Sequence, residues 1–527
     1  MTAVGGANGT DTLTAALDAA RAAGRGSPIP RGAPRYIRSA IWSAPGTACR
    51  QWIDFQNDVT LKDIETAARE NYTSVEHLKR YTTLGMGSDQ GKTANIAGLT
   101  AMASIQNRPI AQVGTTTFRP PFVPVPLEIY RGSHRQQLWQ PIKRLPLEAE
   151  HRKLDAALCE YGGWLRPGWY GTRDPTVEIN REVRMAREQV GIFDGSPLGK
   201  IEVMGPDAEA FLNFVYYNTV KTLSPGKIKY GFMLTEGGVI YDDGVLVRVD
   251  DTHFIVSCSS SHVEGVRQHL EAWRQDGNDP DRIFVHDVSH HWATMTVTGP
   301  KARATLETLA IDFDVSAEKL PHMRFCLGCW EDKPLRISRV SFSGDLSFEI
   351  SVAADHAKAL WSQLLTAGLK HGGGPLGLEA LSIMRAEKGY IIVGKDTDGE
   401  TMPHDLGFAA PKHSKTDAFV GDRSLHTEKA KAGDRKQLVG LDVAAGARML
   451  PVGAHILQAR APKTSAGYVT SSYHSPTLEK PIALGLVAGG RDRPGTEVNI
   501  WHLGEMHKAT ICDPCFLDPK GARLHAR

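Results

Sequence analysis

The sequence lacks several features that would place it in other classes of protein. Its 527 residues include only 7 cysteines, too few for a disulfide framework in a chain of this length. No stretch is apolar for long enough to form a transmembrane helix, and residues 1–30 contain no apolar signal core. Lys and Arg total 61 against 59 for Asp and Glu, which argues against binding driven by nucleic-acid phosphates. We therefore expect a cytoplasmic enzyme or enzyme subunit with no nucleic-acid or membrane partner.

Two cofactor signatures are also missing or weak. No GxGxxG follows a predicted strand, so we expect no NAD site on this chain. Two CxxC pairs, Cys326/Cys329 and Cys512/Cys515, suggest a shared zinc ion, but they lie far apart and lack Gly-rich knuckle turns. Cysteine also packs well as a small apolar side chain. The interpretation that we prefer is ordinary buried thiols and no metal site.

Composition divides the chain into five segments. Residues 1–35 are rich in Ala, Gly and Thr, which predicts a disordered tail. A small helical domain is expected over 36–115, where Thr60 and Asp63 form a capping-box pattern. Residues 116–145 contain a cluster of prolines and predict an extended linker. The remaining segments are a long mixed domain, 146–430, and a C-terminal domain, 431–527.

The long domain contains an internal repeat. VMGPDAEAFLNFV (203–215) and VTGPKARATLETL (297–309) share a strand, a Gly-Pro step and a helix. Such copies predict two related α+β subdomains. From residue 435 onward, short β-branched segments separated by Gly and Pro predict a small β-barrel. The expected fold class is therefore α+β, with a small helical domain in front.

The helical domain resembles the [2Fe–2S] module of the bacterioferritin-associated ferredoxin type. The matching text is DFQNDVT (54–60) and KRYTTLGMGSDQGK (79–92), but Asp54, Gln56 and Asp89 stand where the family has cysteines. Because iron–sulfur clusters need thiolate ligands, we expect a module without a cluster.

One candidate for acid–base chemistry lies in KYGFMLTEGGVIYDDGVLVRV (229–249). The pattern predicts two apolar strands joined by a turn, with Asp242 and Asp243 at the head of the second strand. A carboxylate oriented by a strand and partly desolvated can act as a tuned acid or base. A solvated pair of turn residues is the alternative.

Two further segments carry candidate binding residues. RISRVSFSGDLSFEISV (336–352) predicts a hairpin, and Glu349 on its second strand could accept hydrogen bonds from a flat pair of donors. LGLEALSIMRAEKGY (376–390) predicts a helix on which Arg385 and Lys388 could pair with an anion or a carboxylate. A solvent-facing strand residue and helix-surface charges are the alternatives.

Taken together, these segments resemble the folate-binding aminomethyltransferase family, which includes the T-protein of the glycine cleavage system. REVRMAREQVGIFDGSPLGKIEVMGPDA (181–208) is similar to the family's first helix and strand, and GYVTSSYHSPTLEKPIALGLV (467–487) is similar to its C-terminal barrel. Three further segments resemble the second half of sarcosine oxidase alpha subunits. They are residues 54–93, GTTTFRPPFVPV (114–125) and WLRPGWY (164–170). The dinucleotide-binding half of those subunits has no counterpart in this sequence.

The resemblance implies a reaction and a set of site residues. A partner subunit carrying a flavin (FAD or FMN) would oxidise an N-methyl amine to an iminium. This chain would pass the one-carbon unit to tetrahydrofolate, giving 5,10-methylenetetrahydrofolate. The family's catalytic aspartate corresponds to Asp243, with Asp242 as the alternative. Its folate contacts correspond to Tyr230, Phe342, Glu349 and Arg385.

The expected partners are a beta-like flavoprotein amine oxidase subunit and small accessory subunits. Two other functions stay open. One is an independent aminomethyltransferase that receives its one-carbon unit from a lipoyl carrier protein. The other is a scaffold that keeps the fold and docks a flavoprotein without catalysis.

Overall fold

The computed structural model describes residues 12–28, 43–44, 46–133, 142–277, 279–408, 415–459, 461 and 463–526. The chain divides into two compact units, Met1–Gln140 and Pro141–Arg527. Over those described ranges, every helix is too short or too polar to cross a membrane.

The first unit is mainly helical. Its elements are α1 (Leu13–Gly24), β1 (Trp52–Asp54), β2 (Val59–Thr60), α2 (Leu61–Arg69), α3 (Val75–Thr82), α4 (Asn95–Gln106), α5 (Ile110–Val113) and a 3₁₀ helix, Leu127–Arg131. The predicted capping box is present, since Asp63 Oδ2 accepts hydrogen bonds from Thr60 N at 2.8 Å and Thr60 Oγ1 at 2.6 Å. Ile64, Leu78 and Leu84 are fully buried in the core of the helices.

Short regular elements occur where the sequence predicts irregular chain. Helix α1 lies inside the predicted disordered tail, because its alanine-rich sequence favours a helix and Thr12 accepts a capping bond from Ala15 N. The rest of that tail lies mostly outside the described residues. The 3₁₀ helix and the short strand Lys143–Arg144 fall within the predicted linker, and this strand is fixed by parallel pairing with Trp164 and Leu165.

The second unit contains four β-structures and the helices that cover them. Its strands are β3 (Lys143–Arg144), β4 (Ala156–Tyr161), β5 (Trp164–Tyr170), β6 (Gly191–Asp194), β7 (Gly199–Met204), β8 (Lys227–Leu234), β9 (Ile240–Arg248), β10 (His253–Cys258), β11 (Phe284–Asp287), β12 (Trp292–Thr298), β13 (Phe325–Trp330), β14 (Lys333–Ser338), β15 (Ser347–Ala353), β16 (Gly374–Pro375), β17 (Lys436–Asp442), β18 (His455–Leu457), β19 (Ser465–Ser475), β20 (Lys480–Ala488), β21 (Glu497–His502) and β22 (Glu505–Cys512). Its α-helices are α6 (Glu148–Lys153), α7 (Pro175–Glu188), α8 (Ala208–Val215), α9 (Val263–Gln275), α10 (Ala302–Leu306), α11 (Ala357–Lys370), α12 (Leu378–Lys388) and α13 (Glu428–Lys431).

Strand pairing produces the predicted α+β architecture. One sheet has the order β11-β7-β10-β9-β8, a second has the order β13-β14-β15-β12-β6-β16, and a small sheet has the order β3-β5-β4. The C-terminal strands form a closed barrel in the order β17-β20-β19-β18-β21-β22, which confirms the predicted barrel. The two large sheets and the barrel each have a core of fully buried aliphatic side chains.

The internal repeat has the same local structure in both copies. Strand β7 leads into α8 and strand β12 leads into α10, each through a Gly-Pro step. Gly205 and Gly299 have φ values of +123° and +124°, and a Cβ on either would lie within 2.3 Å of a carbonyl oxygen. Only glycine fits such positions without strain. The structure therefore confirms the predicted repeat, although each proline precedes the helix instead of occupying its first turn.

A buried ionic network fixes the C-terminal segment to the second large sheet. The Arg187 guanidinium of α7 bonds to Asp345 at 2.7 Å and to Glu387 of α12 at 2.5 Å. Asp345 also accepts a hydrogen bond from Arg523, and Ser475 of β19 donates to Glu387 at 2.5 Å. This network joins the two helices α7 and α12, the loop before β15, the barrel and the segment that contains Arg523.

We expect Arg187→Met to lower the free energy of unfolding by about 3–5 kcal/mol, because the substitution leaves Glu387 buried without its cation. Chemical denaturation at pH 7 measures this loss. The control is Arg267→Met, which removes an exposed pair with Glu264 and should cost less than about 1 kcal/mol. Equal losses in the two variants would contradict a structural role for the buried network.

Candidate functional site

One face of the first large sheet carries a row of aligned side chains. Lys200 of β7 is paired with Ser257 of β10, whose hydroxyl accepts a hydrogen bond from Val245 N of β9 at 3.0 Å. Val245 is paired in turn with Tyr230 of β8. Because directly paired residues point to the same face of a sheet, these four side chains share one face. Asp243 is two residues from Val245 on β9, so it lies on that face too.

A second row crosses the other large sheet. Phe193 of β6 pairs with Thr296 of β12, and Thr296 pairs with Glu349 of β15. Phe325 of β13 belongs to this row, because it pairs with Ser338 and Ser338 pairs with Glu349. It packs in one core cluster with Ile228, Val247 and Ile255, which lie on the face of Lys200 and Tyr230, so the two rows face each other. We call the region between these rows the inter-sheet cleft, and it includes the side chains of Lys200, Tyr230, Asp243, Phe193 and Glu349.

The structure distinguishes the two adjacent aspartates. Asp242 is fully buried, and its carboxylate accepts bonds from Ser259 Oγ at 2.6 Å, Ser259 N at 3.2 Å and Asp243 N at 2.9 Å. His262 Nδ1 lies 3.7 Å from the same carboxylate. Asp242 therefore holds the turn after β10 in place. Asp243 points to the opposite side of the strand, into the cleft.

Asp243 is an unusually basic carboxylate. Burial raises its pKa to about 7, and the negative charge of Asp242 adds to that increase. A hydrogen bond from the Tyr230 hydroxyl at 2.6 Å acts in the opposite direction and favours the ionised form. A carboxyl group with a pKa near 7 can exchange protons efficiently at neutral pH.

Glu349 is a carboxylate with free hydrogen-bonding capacity. Burial raises its pKa, and the Lys200 charge partly offsets that effect. Lys200 Nζ donates to the carbonyl oxygens of Ser196 at 3.0 Å and Leu198 at 2.8 Å. Among the residues that the structure describes, none donates a hydrogen bond to the Glu349 side chain. A carboxylate in this state suits a ligand with paired N–H donors.

Aromatic side chains lie beside Asp243. Tyr230 packs edge-on against Phe232, with ring centroids 5.3 Å apart, and lies 6.1 Å from Phe408. Phe342 is 36% exposed and stacks on Tyr390 at 6.5 Å. Phe342 and Tyr390 form an aromatic pair separate from Tyr230, Phe232 and Phe408. These flat surfaces suit a planar heterocycle.

Arg385 meets this constellation at the backbone of Tyr390. Its guanidinium is fully buried, pairs with Asp396 and donates to Tyr390 O at 2.9 Å and Ser471 Oγ at 2.7 Å. Neither Asp242 nor Asp243 is among these partners. The geometry makes Arg385 a link between α12 and barrel strand β19, and its carboxylate partner is Asp396. Lys388, the other cation of this helix, donates to Asp518 near the chain's end.

Three residues of the site are not identified as site residues by sequence reasoning. Lys200 stands in a predicted apolar strand, and a lysine at such a position is the signal that could have identified it. Phe193 lies in the segment 181–208, and Tyr390 ends the MRAEKGY segment. Each becomes significant only when strands or helices far apart in sequence are brought together.

The cysteines of the two CxxC pairs are free thiols. All four, Cys326, Cys329, Cys512 and Cys515, are half-buried, whereas the sequence predicts ordinary buried thiols. A strand places residues three apart on opposite faces, which separates the thiols of the first pair. No group of metal-ligating side chains occurs in the part of the chain that the structure describes.

In the first unit, hydrogen bonds connect the positions where the ferredoxin module has thiolates. Asp54 accepts bonds from Gln56 N at 2.8 Å and Gly85 N at 2.7 Å. Gln56 Oε1 accepts a bond from Asp89 N at 3.2 Å. These side chains join the two loops directly.

Three family models match the chain. Residues 147–411 match the GCVT N-terminal domain, residues 436–518 match the glycine cleavage T-protein C-terminal barrel domain, and residues 48–133 match the sarcosine oxidase A3 domain. The last of these covers the helical part of the first unit.

Full-length relatives agree with these matches. The aminomethyltransferase of Chloroherpeton thalassium is 31% identical, over 71% of this chain and 99% of its own. The sarcosine oxidase subunit alpha of Rhizobium meliloti is 39% identical over 92% of this chain but only 50% of its own. This chain thus spans about half the length of the curated sarcosine oxidase subunits it matches.

A solved structure supports the fold. The glycine cleavage system aminomethyltransferase T from Bartonella henselae aligns with a TM-score of 0.63 and 25% identity, over 72% of this chain and 99% of that one. The fold and these relatives thus define a protein of the aminomethyltransferase class. More specifically, the chain belongs to the glycine cleavage T-protein family, and its first unit carries a sarcosine oxidase A3 domain.

Proposed function

We propose that this chain is the folate-binding subunit of a sarcosine-oxidase-like complex. It transfers the one-carbon unit of an oxidised N-methyl amine to tetrahydrofolate. The observation that carries the proposal is the presence of two buried carboxylates with raised pKa values, Asp243 and Glu349, on the facing rows of the two large sheets.

The cleft residues fit tetrahydrofolate. Its pterin has an amine and a ring N–H on one edge, which match the unengaged carboxylate of Glu349. Phe342, Tyr390 and Tyr230 supply flat surfaces for the ring system. Tetrahydrofolate, when bound, supplies the two nitrogens that accept the one-carbon unit.

Asp243 is the proposed catalytic residue. In its ionised form the carboxylate stabilises a cationic one-carbon donor and accepts a proton at Oδ. Tyr230 positions it through the hydrogen bond at 2.6 Å. Asp242, the alternative from the sequence, is engaged in structural bonds. Arg385 acts as a structural link between α12 and the barrel.

The partner is a flavoprotein amine oxidase subunit that supplies the iminium. The A3 domain match and the similarity to sarcosine oxidase alpha subunits support this part of the proposal. Small accessory subunits and a cytoplasmic location are predictions from the sequence. A tag on this chain should co-purify a yellow flavoprotein from its native host.

Calorimetric titration of the full chain with tetrahydrofolate tests the binding function. We expect one saturable site with an affinity of micromolar order. Absence of binding at millimolar tetrahydrofolate, both by the chain alone and by the co-purified complex, would contradict the proposal.

The second candidate is a stand-alone aminomethyltransferase supplied by a lipoyl protein. The 99% coverage of the Chloroherpeton thalassium aminomethyltransferase favours it. Incubating the chain with aminomethylated lipoyl protein and tetrahydrofolate separates the two functions. Product formation there, with no flavoprotein partner, would favour the second candidate.

The pH dependence of transfer reports the state of Asp243. A carboxylate that acts when ionised gives a rate that rises with pH through its pKa, here about 7. Tyr230→Phe removes the hydrogen bond that lowers this pKa, so the midpoint should move to higher pH. Single-turnover rates between pH 5.5 and 9 measure the shift. Tyr241→Phe is the control, because its hydroxyl bonds to Gly265 O, and an equal shift in that variant would contradict the assignment.

A further inference from the structure

A ladder of polar side chains runs along the paired strands β12 and β15. Its three cross-strand pairs are Thr294–Ser351, Thr296–Glu349 and Thr298–Ser347. Because directly paired residues share a face of the sheet, and so do residues two apart on a strand, all six side chains lie on the face of Glu349. The ladder therefore belongs to the inter-sheet cleft.

The threonines on either side of the middle pair are hydrogen-bonded. Thr294 Oγ1 and Ser351 Oγ bond to each other at 2.8 Å, and Thr298 Oγ1 bonds to Ser343 Oγ at 2.6 Å. In the middle pair, Thr296 is 8% exposed, and no described residue bonds to its hydroxyl or to the Glu349 carboxylate. Buried polar side chains in proteins are normally hydrogen-bonded. The ladder is thus left open at the pair that contains Glu349.

The hydroxyl of Thr296 lies where a ligand of Glu349 would reach it. Side chains that are directly paired across two strands have their Cβ atoms about 4.5–5.5 Å apart. On the other side of Thr296, its paired residue is Phe193 of β6. Gly195, in the turn after β6, is close to the hydroxyl, since a Cβ added there would be 3.4 Å from Thr296 Oγ1. Because glycine has no side chain, it leaves the hydroxyl uncovered on that side.

We propose that Thr296 determines specificity by donating a hydrogen bond to the ring carbonyl of a 2-amino-4-oxo heterocycle, whose amine and ring N–H bind Glu349. This inference rests on the proposed function and names the ring edge that the site reads. On one edge of a pterin, the amine, the ring N–H and the C4 carbonyl follow one another. An ionised carboxylate only accepts hydrogen bonds, whereas a hydroxyl can donate one. The adjacent pair Glu349 and Thr296 therefore complements two donors followed by an acceptor.

Calorimetric titration of the full chain with tetrahydrofolate, and with an analogue that lacks the C4 oxygen, tests the proposal. Thr296→Val keeps the shape of the side chain without the hydroxyl, and it should weaken tetrahydrofolate binding about 3- to 10-fold. Thr296→Ser keeps the hydroxyl and should bind as the wild type does. The analogue should bind equally to the wild type and to both variants, because it has no carbonyl for the hydroxyl to contact.

Thr294→Val is the matched control on the same strand, since the Thr294 hydroxyl is already bonded to Ser351. It should bind both compounds as the wild type does. Circular dichroism checks folding, and Thr296→Ala replaces the valine variant if that variant unfolds.

Three results would overturn the proposal. They are unchanged tetrahydrofolate affinity in Thr296→Val, an equal loss for tetrahydrofolate and the analogue, and an equal loss in Thr294→Val. Ser347 has the other unpaired hydroxyl of the ladder, so a loss in Ser347→Ala without one in Thr296→Val would assign the carbonyl to Ser347 instead. If Glu349→Gln weakens tetrahydrofolate binding and Thr296→Val does not, the proposed function stands and this inference fails. If the wild type does not bind tetrahydrofolate, both fail.

Discussion

Asp243→Asn is expected to lower formation of 5,10-methylenetetrahydrofolate by about 10²- to 10⁴-fold, the usual contribution of a positioned acid–base group. Asparagine keeps the shape of the side chain and can still meet the Tyr230 hydroxyl, but it cannot accept a proton or stabilise a cation. The complex purified through a tag on this chain provides the assay. Amine oxidation, followed as oxygen uptake, should persist, and formaldehyde should replace the folate product.

The matched control is Asp242→Asn at the neighbouring position. Asp242 accepts two hydrogen bonds from Ser259, so its replacement should reduce stability by about 1–3 kcal/mol with a smaller effect on transfer. If Asp242→Asn abolished transfer while Asp243→Asn retained it, the catalytic assignment would have to be reversed. Full transfer activity in both variants would contradict a carboxylate mechanism.

Glu349→Gln is expected to weaken tetrahydrofolate binding by about 10- to 100-fold. The charged acceptor of two N–H donors is replaced by an amide that offers a single acceptor and a repelling N–H group. Titration calorimetry measures the affinity, and the melting temperature of the variant should not fall, since no described residue donates a hydrogen bond to Glu349.

Glu331→Gln serves as the control, because Glu331 is a half-exposed residue of the β13–β14 turn. It should bind tetrahydrofolate as the wild type does. Unchanged affinity in Glu349→Gln would contradict the proposed contact between Glu349 and the pterin.

Much of the fold can be predicted from local sequence signals. The Thr60–Asp63 pattern fixes the start of α2, and the Gly205 and Gly299 motifs fix two strand-to-helix steps. Alternating apolar residues identify β8 and β9 as a hairpin. These signals are sufficient because the interactions that stabilise the elements lie within a few residues. Helix α1 is missed because its composition resembles a tail and only its alanine content favours a helix.

The site is harder to predict from the sequence than the fold, because it depends on the pairing register of strands that are far apart in the chain. The motifs single out Asp243 and Glu349, but nothing in the chain order shows that Lys200 shares a sheet face with Tyr230 and Asp243. Strand alternation places the Asp242 and Asp243 side chains on opposite sides of β9. Which of these sides faces the cleft is known only from the fold. Arg385 is singled out by a motif, but its buried carboxylate partner, Asp396, becomes apparent only from the packing of α12 against the barrel.

A crystal structure of the full chain with tetrahydrofolate would show whether the pterin binds at the inter-sheet cleft. We expect the pterin between the two large sheets. Its amine and ring N–H should lie within about 3 Å of Glu349, and its reactive nitrogens should face Asp243. Tetrahydrofolate bound outside the inter-sheet cleft, or bound within it without contact to Glu349, would contradict the account.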